Sequence, residues 1–89
     1  MINLDRLKKQ LVIDEGLELK PYHCSADKLT IGVGRNIQEV GITKDEALYL
    51  LGNDIARCAG ECTREFPWFA ELTQLRKEAV INLVFNMGM

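Results

Sequence analysis

A glycine placed directly behind an amphipathic stretch fixes where the first helix of this chain must stop. The last residue before that stop is a carboxylic acid. Leu4, Leu7 and Leu11 recur on one helical face behind Asn3, a residue type favoured as an N-cap, so a helix is predicted over residues 4–15. Gly16 supplies its C-terminal stop. Glu15 then lies at the negative end of the helix macrodipole, a field that disfavours an ionised carboxylate. A carboxyl group held protonated is what a general acid requires. An ordinary solvated glutamate would fit the same local pattern, so the choice between the two rests on the residues beyond Gly16.

Leu17-Glu18-Leu19-Lys20-Pro21-Tyr22 alternates apolar and polar residues, as an edge strand does, and Pro21 is tolerable only at such an edge. A polar turn from His23 to Lys28 leads into Leu29-Thr30-Ile31-Gly32-Val33-Gly34, predicted as a second strand. Leu29, Ile31 and Val33 share one face, expected to be core; Thr30, Gly32 and Gly34 share the other. That second face is nearly bare backbone carrying one hydroxyl, which suits a ligand lying against the strand. Glycines that mark a bulge or a close strand approach would give the same pattern.

Taken together, Ile13-Asp14-Glu15-Gly16, Tyr22 and Thr30-Ile31-Gly32-Val33-Gly34 resemble the catalytic segment of the phage-type lysozymes, the endolysin family. That family carries a Glu, eight intervening residues, an Asp or Cys, five more residues and a Thr, a pattern that falls here on Glu15, Cys24 and Thr30. The resemblance continues through Ile42-Thr43-Lys44-Asp45-Glu46-Ala47 and Ala79-Val80-Ile81-Asn82-Leu83-Val84-Phe85-Asn86-Met87-Gly88, and so covers essentially the whole chain. It implies hydrolysis of the β-1,4 bond between N-acetylmuramic acid and N-acetylglucosamine in bacterial peptidoglycan. Glu15 would protonate the leaving sugar's oxygen, and Cys24 would replace the water-activating carboxylate. Thr30 would help hold the water or the intermediate on the opposite side of the ring. Gly32, Gly34 and Arg35 would face the substrate, the glycines keeping the floor low enough for a sugar ring.

Two positions depart from the family pattern. Asp is commoner at the place of Cys24, and a thiol with a pKa of about 8.5 is mostly neutral at pH 7. It would serve as a base only if Lys20, Lys28 or Arg35 lowered its pKa; as a thiolate it could instead attack the sugar itself. Inverting and retaining routes therefore both stay open. Arg35 stands where several relatives have His. Asp27 offers a substitute carboxylate, although its place in a turn fits simple solvation better.

At 89 residues the chain suits one domain, which buries only about 60–65% of its unfolded surface. No segment approaches the roughly 20 apolar residues of a membrane span, and the amino terminus lacks the apolar core of a signal peptide. The expected location is the bacterial host's cytoplasm; by resemblance, the protein would reach the wall through a separately encoded membrane pore. A formal charge of −2, with Lys and Arg interspersed among Asp and Glu, argues against a nucleic-acid partner. Lys8, Lys9, Lys20, Lys28 and Arg35 could still make one side locally basic. Cys58 and Cys62 lie four apart on a predicted helix, and with His23 and Cys24 they match no zinc spacing. Small buried apolar residues are the better interpretation. No cofactor or metal is indicated.

Thr43 and Glu46 form a capping-box signature, opening a helix with Leu48, Leu51, Ile55, Ala59 and Cys62 at helical spacing and an end near Arg64. Phe66, Trp68 and Phe69, around Pro67, look like a core anchor, with sugar stacking the alternative. From Thr73 as N-cap, the last helix is apolar almost all round and is expected to be buried on all sides. Within these 89 residues nothing further along the chain covers it. Family members continue with further helices that pack round it and complete the far wall of the cleft. The expected fold is thus α+β and lysozyme-like: residues 1–42 as a helix-and-sheet lobe bearing the catalytic residues, 43–64 as a linking helix, and 65–89 as the start of a helical lobe. The alternatives are a truncated, non-catalytic glycan-binding remnant, and a helical interaction module whose apolar last helix docks on a partner; self-association through that exposed helix is a further expectation.

Overall fold

The computed structural model describes residues 1–87. Gly88, the end of the last matching block, lies outside the described residues. Helices and a small antiparallel sheet make the architecture α+β. In chain order the elements are α1 (Leu4–Glu15), β1 (Glu18–His23), β2 (Leu29–Gly32), β3 (Arg35–Asn36), α2 (Lys44–Glu65), a 3₁₀ turn (Phe69–Glu71) and α3 (Gln74–Asn86). The chain divides into two compact units at the junction between Ile42 and Thr43.

In the first unit, the Asn3 side chain accepts the Arg6 N–H at 3.0 Å and caps α1. Gly16 ends it, donating its N–H to the Val12 carbonyl at 2.9 Å with φ 81° and ψ 163°. That backbone region is essentially reserved for glycine, so Glu15 is the last helical residue for a steric reason. The three strands run in the order β1-β2-β3, which leaves β1 at an edge, where Pro21 withholds no ladder donor that the sheet needs. The pairing of β1 with β2 is irregular between Glu18 and Tyr22, the interval that contains Pro21.

Two expectations for the second strand need correction. β2 stops at Gly32, because Gly32 and Gly34 both take positive φ (74° and 72°) and turn the chain into β3. The face carrying Leu29, Ile31 and Val33 is also not the core expected of it, and the one buried residue of the strand lies on the other face. Thr30 is 3% exposed, whereas Leu29 and Ile31 are only half-buried and Val33 is exposed. Thr30 sits mid-sheet, paired with Tyr22 on one side and Asn36 on the other. Its hydroxyl donates to the Lys28 carbonyl at 2.8 Å, which makes burial of the polar group tolerable.

In the second unit the capping box forms in full. Glu46 N–H reaches Thr43 Oγ1 at 3.1 Å, and Thr43 N–H reaches Glu46 Oε1 at 2.8 Å. Cys58, Cys62 and Phe69 are buried, with Phe66, Leu72, Val80, Ile81 and Val84 packed around them. The cysteines are core residues, as their spacing suggests, and the Cys58 thiol lies 3.9 Å from the Ile81 carbonyl. Phe66 stacks on Trp68 with ring centroids 5.0 Å apart, and Trp68 remains exposed. The last helix departs from expectation, since no residue of α3 is fully buried. Val80, Ile81 and Val84 face the cysteine cluster, while Leu75 and Leu83 lie exposed. A helix packed on one neighbour can cover only one stripe.

Candidate active site

The candidate residues all lie in the first unit. Glu15 is brought to its place by the end of α1, and its carboxylate is exposed. Gly34 is brought toward it by the turn after β2. A methyl group built on Gly34 would lie 3.9 Å from Glu15 Oε2, ordinary van der Waals contact. The carboxyl group therefore stands over unsubstituted backbone, and a larger side chain at Gly34 would occupy the space beside it. The positive φ of 72° is what favours glycine there.

A second group forms at the turn between β1 and β2. The Asp27 N–H closes a β-turn onto the Cys24 carbonyl at 2.8 Å, and the Cys24 N–H reaches the Lys28 carbonyl at 3.0 Å. Asp27 takes the left-handed conformation (φ 60°), one that Asp and Asn tolerate better than most residues. Its role is thus in shaping the turn. Cys24 is half-buried. Its thiol is held below the ordinary value of 9.0 by the main-chain N–H of Lys28, then by that of Ala26, then by the Thr30 hydroxyl. The sequence pointed to nearby cations as the agents that could do this; main-chain dipoles are the larger influence, because a five-residue turn aims its N–H groups at the first side chain in it. Thr30 itself is buried, and its hydroxyl, which donates to the Lys28 carbonyl, lies next to the Cys24 sulfur.

The structure thus brings Glu15 to Gly34 and Cys24 to Thr30. Gly32 serves as a turn residue at the end of β2. Arg35 pairs with Ile31, which places it on the sheet face opposite Thr30, and it donates to the Gly41 carbonyl at 3.2 Å. In the second unit a cleft of about 330 Å³ lined by Leu51, Ile55, Ile81 and Phe85 contains none of these residues. Among the described residues no group of three or more His, Cys, Asp or Glu is arranged to hold a metal ion, and no helix is long and apolar enough to cross a membrane.

One consequence can be measured directly. Alkylation of Cys24 by iodoacetamide, followed residue by residue, should reach half its maximal rate below pH 9.0. Cys58 and Cys62 should react only on unfolding, because both are buried; burial also pushes the Cys62 thiol up, with Cys58 beside it adding to the effect. Folding favours the Cys24 thiolate, so this contribution to stability is complete above the unfolded value and is lost as pH falls through the lower folded value. A Cys24 profile centred at or above 9.0 would contradict the hydrogen bonding described.

Comparison with known proteins bears on what these two groups do. Residues 13–89 match the sequence model of the Phage lysozyme family. An endolysin of Acyrthosiphon pisum secondary endosymbiont phage 1 is 39% identical over 79 residues, which make up 84% of this chain and 52% of that protein. The chain therefore spans about half the length of this curated relative.

Proposed function

The chain belongs to the phage lysozyme family, and from that premise we propose that its first unit carries the cleavage residues of a peptidoglycan hydrolase. The bond cut is the β-1,4 linkage between N-acetylmuramic acid and N-acetylglucosamine. The observation that carries this reading is the exposed Glu15 carboxyl group standing over the bare backbone of Gly34.

Glu15 in its acid form gives its proton to the glycosidic oxygen as the bond from C1 to that oxygen breaks. The transition state is oxocarbenium-like and needs electron density or activated water on the other face. Water attacks C1, its oxygen forming the new bond, and its proton passes to the Cys24 thiolate. Solvent then returns the proton from sulfur to Glu15, so one water is consumed and both residues are restored. We assign Thr30 an indirect part: buried as it is, its hydroxyl supports the sulfur from behind and does not face the sugar. We assign Arg35 to bracing the turn through Gly41. In this reading the protein is made in the bacterial host and meets the wall after release through a separately encoded pore.

The test is digestion of purified peptidoglycan by the full chain, counting new muramic acid reducing ends. Cys24→Ser should lower the rate by about 10²-fold, the range for loss of a positioned base. Cys24→Asp, which restores a carboxylate, should keep most of it. Cleavage by Cys24→Ser at the wild-type rate would remove Cys24 from the mechanism. The anomer formed first separates the routes, since inversion at C1 marks water attack and retention marks attack by sulfur.

A further inference from the structure

The segment after β3 grips the turn that holds Cys24. Gln38 accepts the Leu29 N–H on its side-chain oxygen at 3.1 Å and returns its own N–H to the Leu29 carbonyl at 3.3 Å. The Leu29 N–H belongs to the same peptide plane as the Lys28 carbonyl. That carbonyl accepts the Cys24 N–H at 3.0 Å and the Thr30 hydroxyl at 2.8 Å. Gln38 therefore holds the outer edge of the peptide whose inner edge faces Cys24 and Thr30. Glu39 adds a second hold through its carboxylate, 2.7 Å from Lys28 Nζ.

The grip is itself built locally. Asn36 accepts the Glu39 N–H on its side chain at 3.1 Å and the Val40 N–H on its carbonyl at 2.9 Å, which coils residues 36–40 into one turn. Asn36 also pairs with Thr30 across the sheet, so the turn starts in register with the residue it serves. Each bond is partly exposed and modest by itself, but all of them converge on one peptide.

We infer that Gln38 is a positioning residue for the Cys24–Thr30 pair, acting with Glu39 through the Lys28–Leu29 peptide. The inference rests on the proposed part of Cys24 in cleavage only for its functional meaning; the positioning itself is read on the thiol. Without the Gln38 amide that peptide loses the side-chain bond on its outer edge, so the turn next to it, whose Lys28 and Ala26 N–H groups face the Cys24 sulfur, is held less firmly.

The experiment is residue-resolved alkylation of Cys24 across pH in the full chain, with amide NMR spectra reporting whether the sheet stays folded. Gln38→Ala should move the half-maximal pH upward and slow labelling at pH 7 about fivefold, the factor for one hydrogen bond of ordinary net strength. Gln38→Glu keeps the acceptor oxygen and should return the profile toward wild type in high salt, which screens the added charge. A role confined to stability would lower the melting temperature and leave the profile in place. An unchanged profile in folded Gln38→Ala overturns the inference. Should that variant unfold, Glu39→Gln replaces it: a smaller upward shift supports the inference, and no shift overturns it. A shifted profile with unchanged peptidoglycan cleavage leaves the positioning intact and removes Cys24 from the reaction.

Discussion

Glu15→Gln is expected to reduce peptidoglycan cleavage by at least about 10²-fold, the lower end of the range for loss of a general acid. The melting temperature should stay close to that of the wild type. Glutamine matches glutamate in shape but carries no transferable proton, so it occupies the same space over Gly34 without doing the chemistry. Position 15 is exposed, and exposed substitutions of equal size change stability by no more than about 0.5 kcal/mol. Clearing of permeabilised bacteria beside a thermal melt reads both quantities. Cleavage by Glu15→Gln at the wild-type rate would place the acid elsewhere. The melt accompanies the assay so that loss of chemistry is told apart from loss of fold. Asp14, one residue earlier on α1, is an internal control, since Asp14→Asn removes a carboxylate from the same helix end and should leave the rate within about threefold of wild type.

How much of the fold and site is legible in the sequence depends on the range over which each feature is decided. Asn3, Gly16 and Thr43 act within four residues of themselves, so the limits of α1 and the start of α2 come from local chemistry. The placement of Glu15 as the last helical residue comes with them. Alternation misjudges β2 because it reports which residues share a face, not which face is covered. Thr30 is buried by its position in the central strand and by the Lys28 carbonyl that takes its proton, neither of which hydropathy records. Gly32 and Gly34 read equally well as strand or turn until their positive φ is known. The environment of Cys24 is invisible for a different reason. Its donors are main-chain N–H groups, present at every non-proline position, and only the conformation of the turn aims them. Gln38 escapes notice on the same ground, since one amide in a polar connection carries no pattern. The Asn36 cap three residues before Glu39 is the available signal that the connection is coiled.

In the second unit the largest expected effect is on folding. Phe69→Ala should destabilise by about 3–5 kcal/mol, the range for truncating a buried aromatic. A small domain holds typically about 5–15 kcal/mol in total. Among the described residues only Cys58, Cys62 and Phe69 are fully buried apolar residues, and Phe69 is much the largest. The two thiols touch it from α2, while Val80, Ile81 and Val84 on α3 and Leu72 beside it complete the cluster. Removing the ring would leave a cavity between segments that share little other buried surface. The thiols then report the outcome. Cys58 and Cys62 should change from protected to labelled at a rate approaching that of the denatured chain, as the helical circular dichroism signal falls. Trp68→Ala is the contrasting case: the ring is exposed and its main contact is the stack on Phe66, worth about 0.5–1.5 kcal/mol. Protection of the thiols should survive that change. Phe69→Leu, which keeps most of the volume, should lie between the two. Continued protection of both thiols in Phe69→Ala would mean that the α2–α3 pair is held by something other than this cluster.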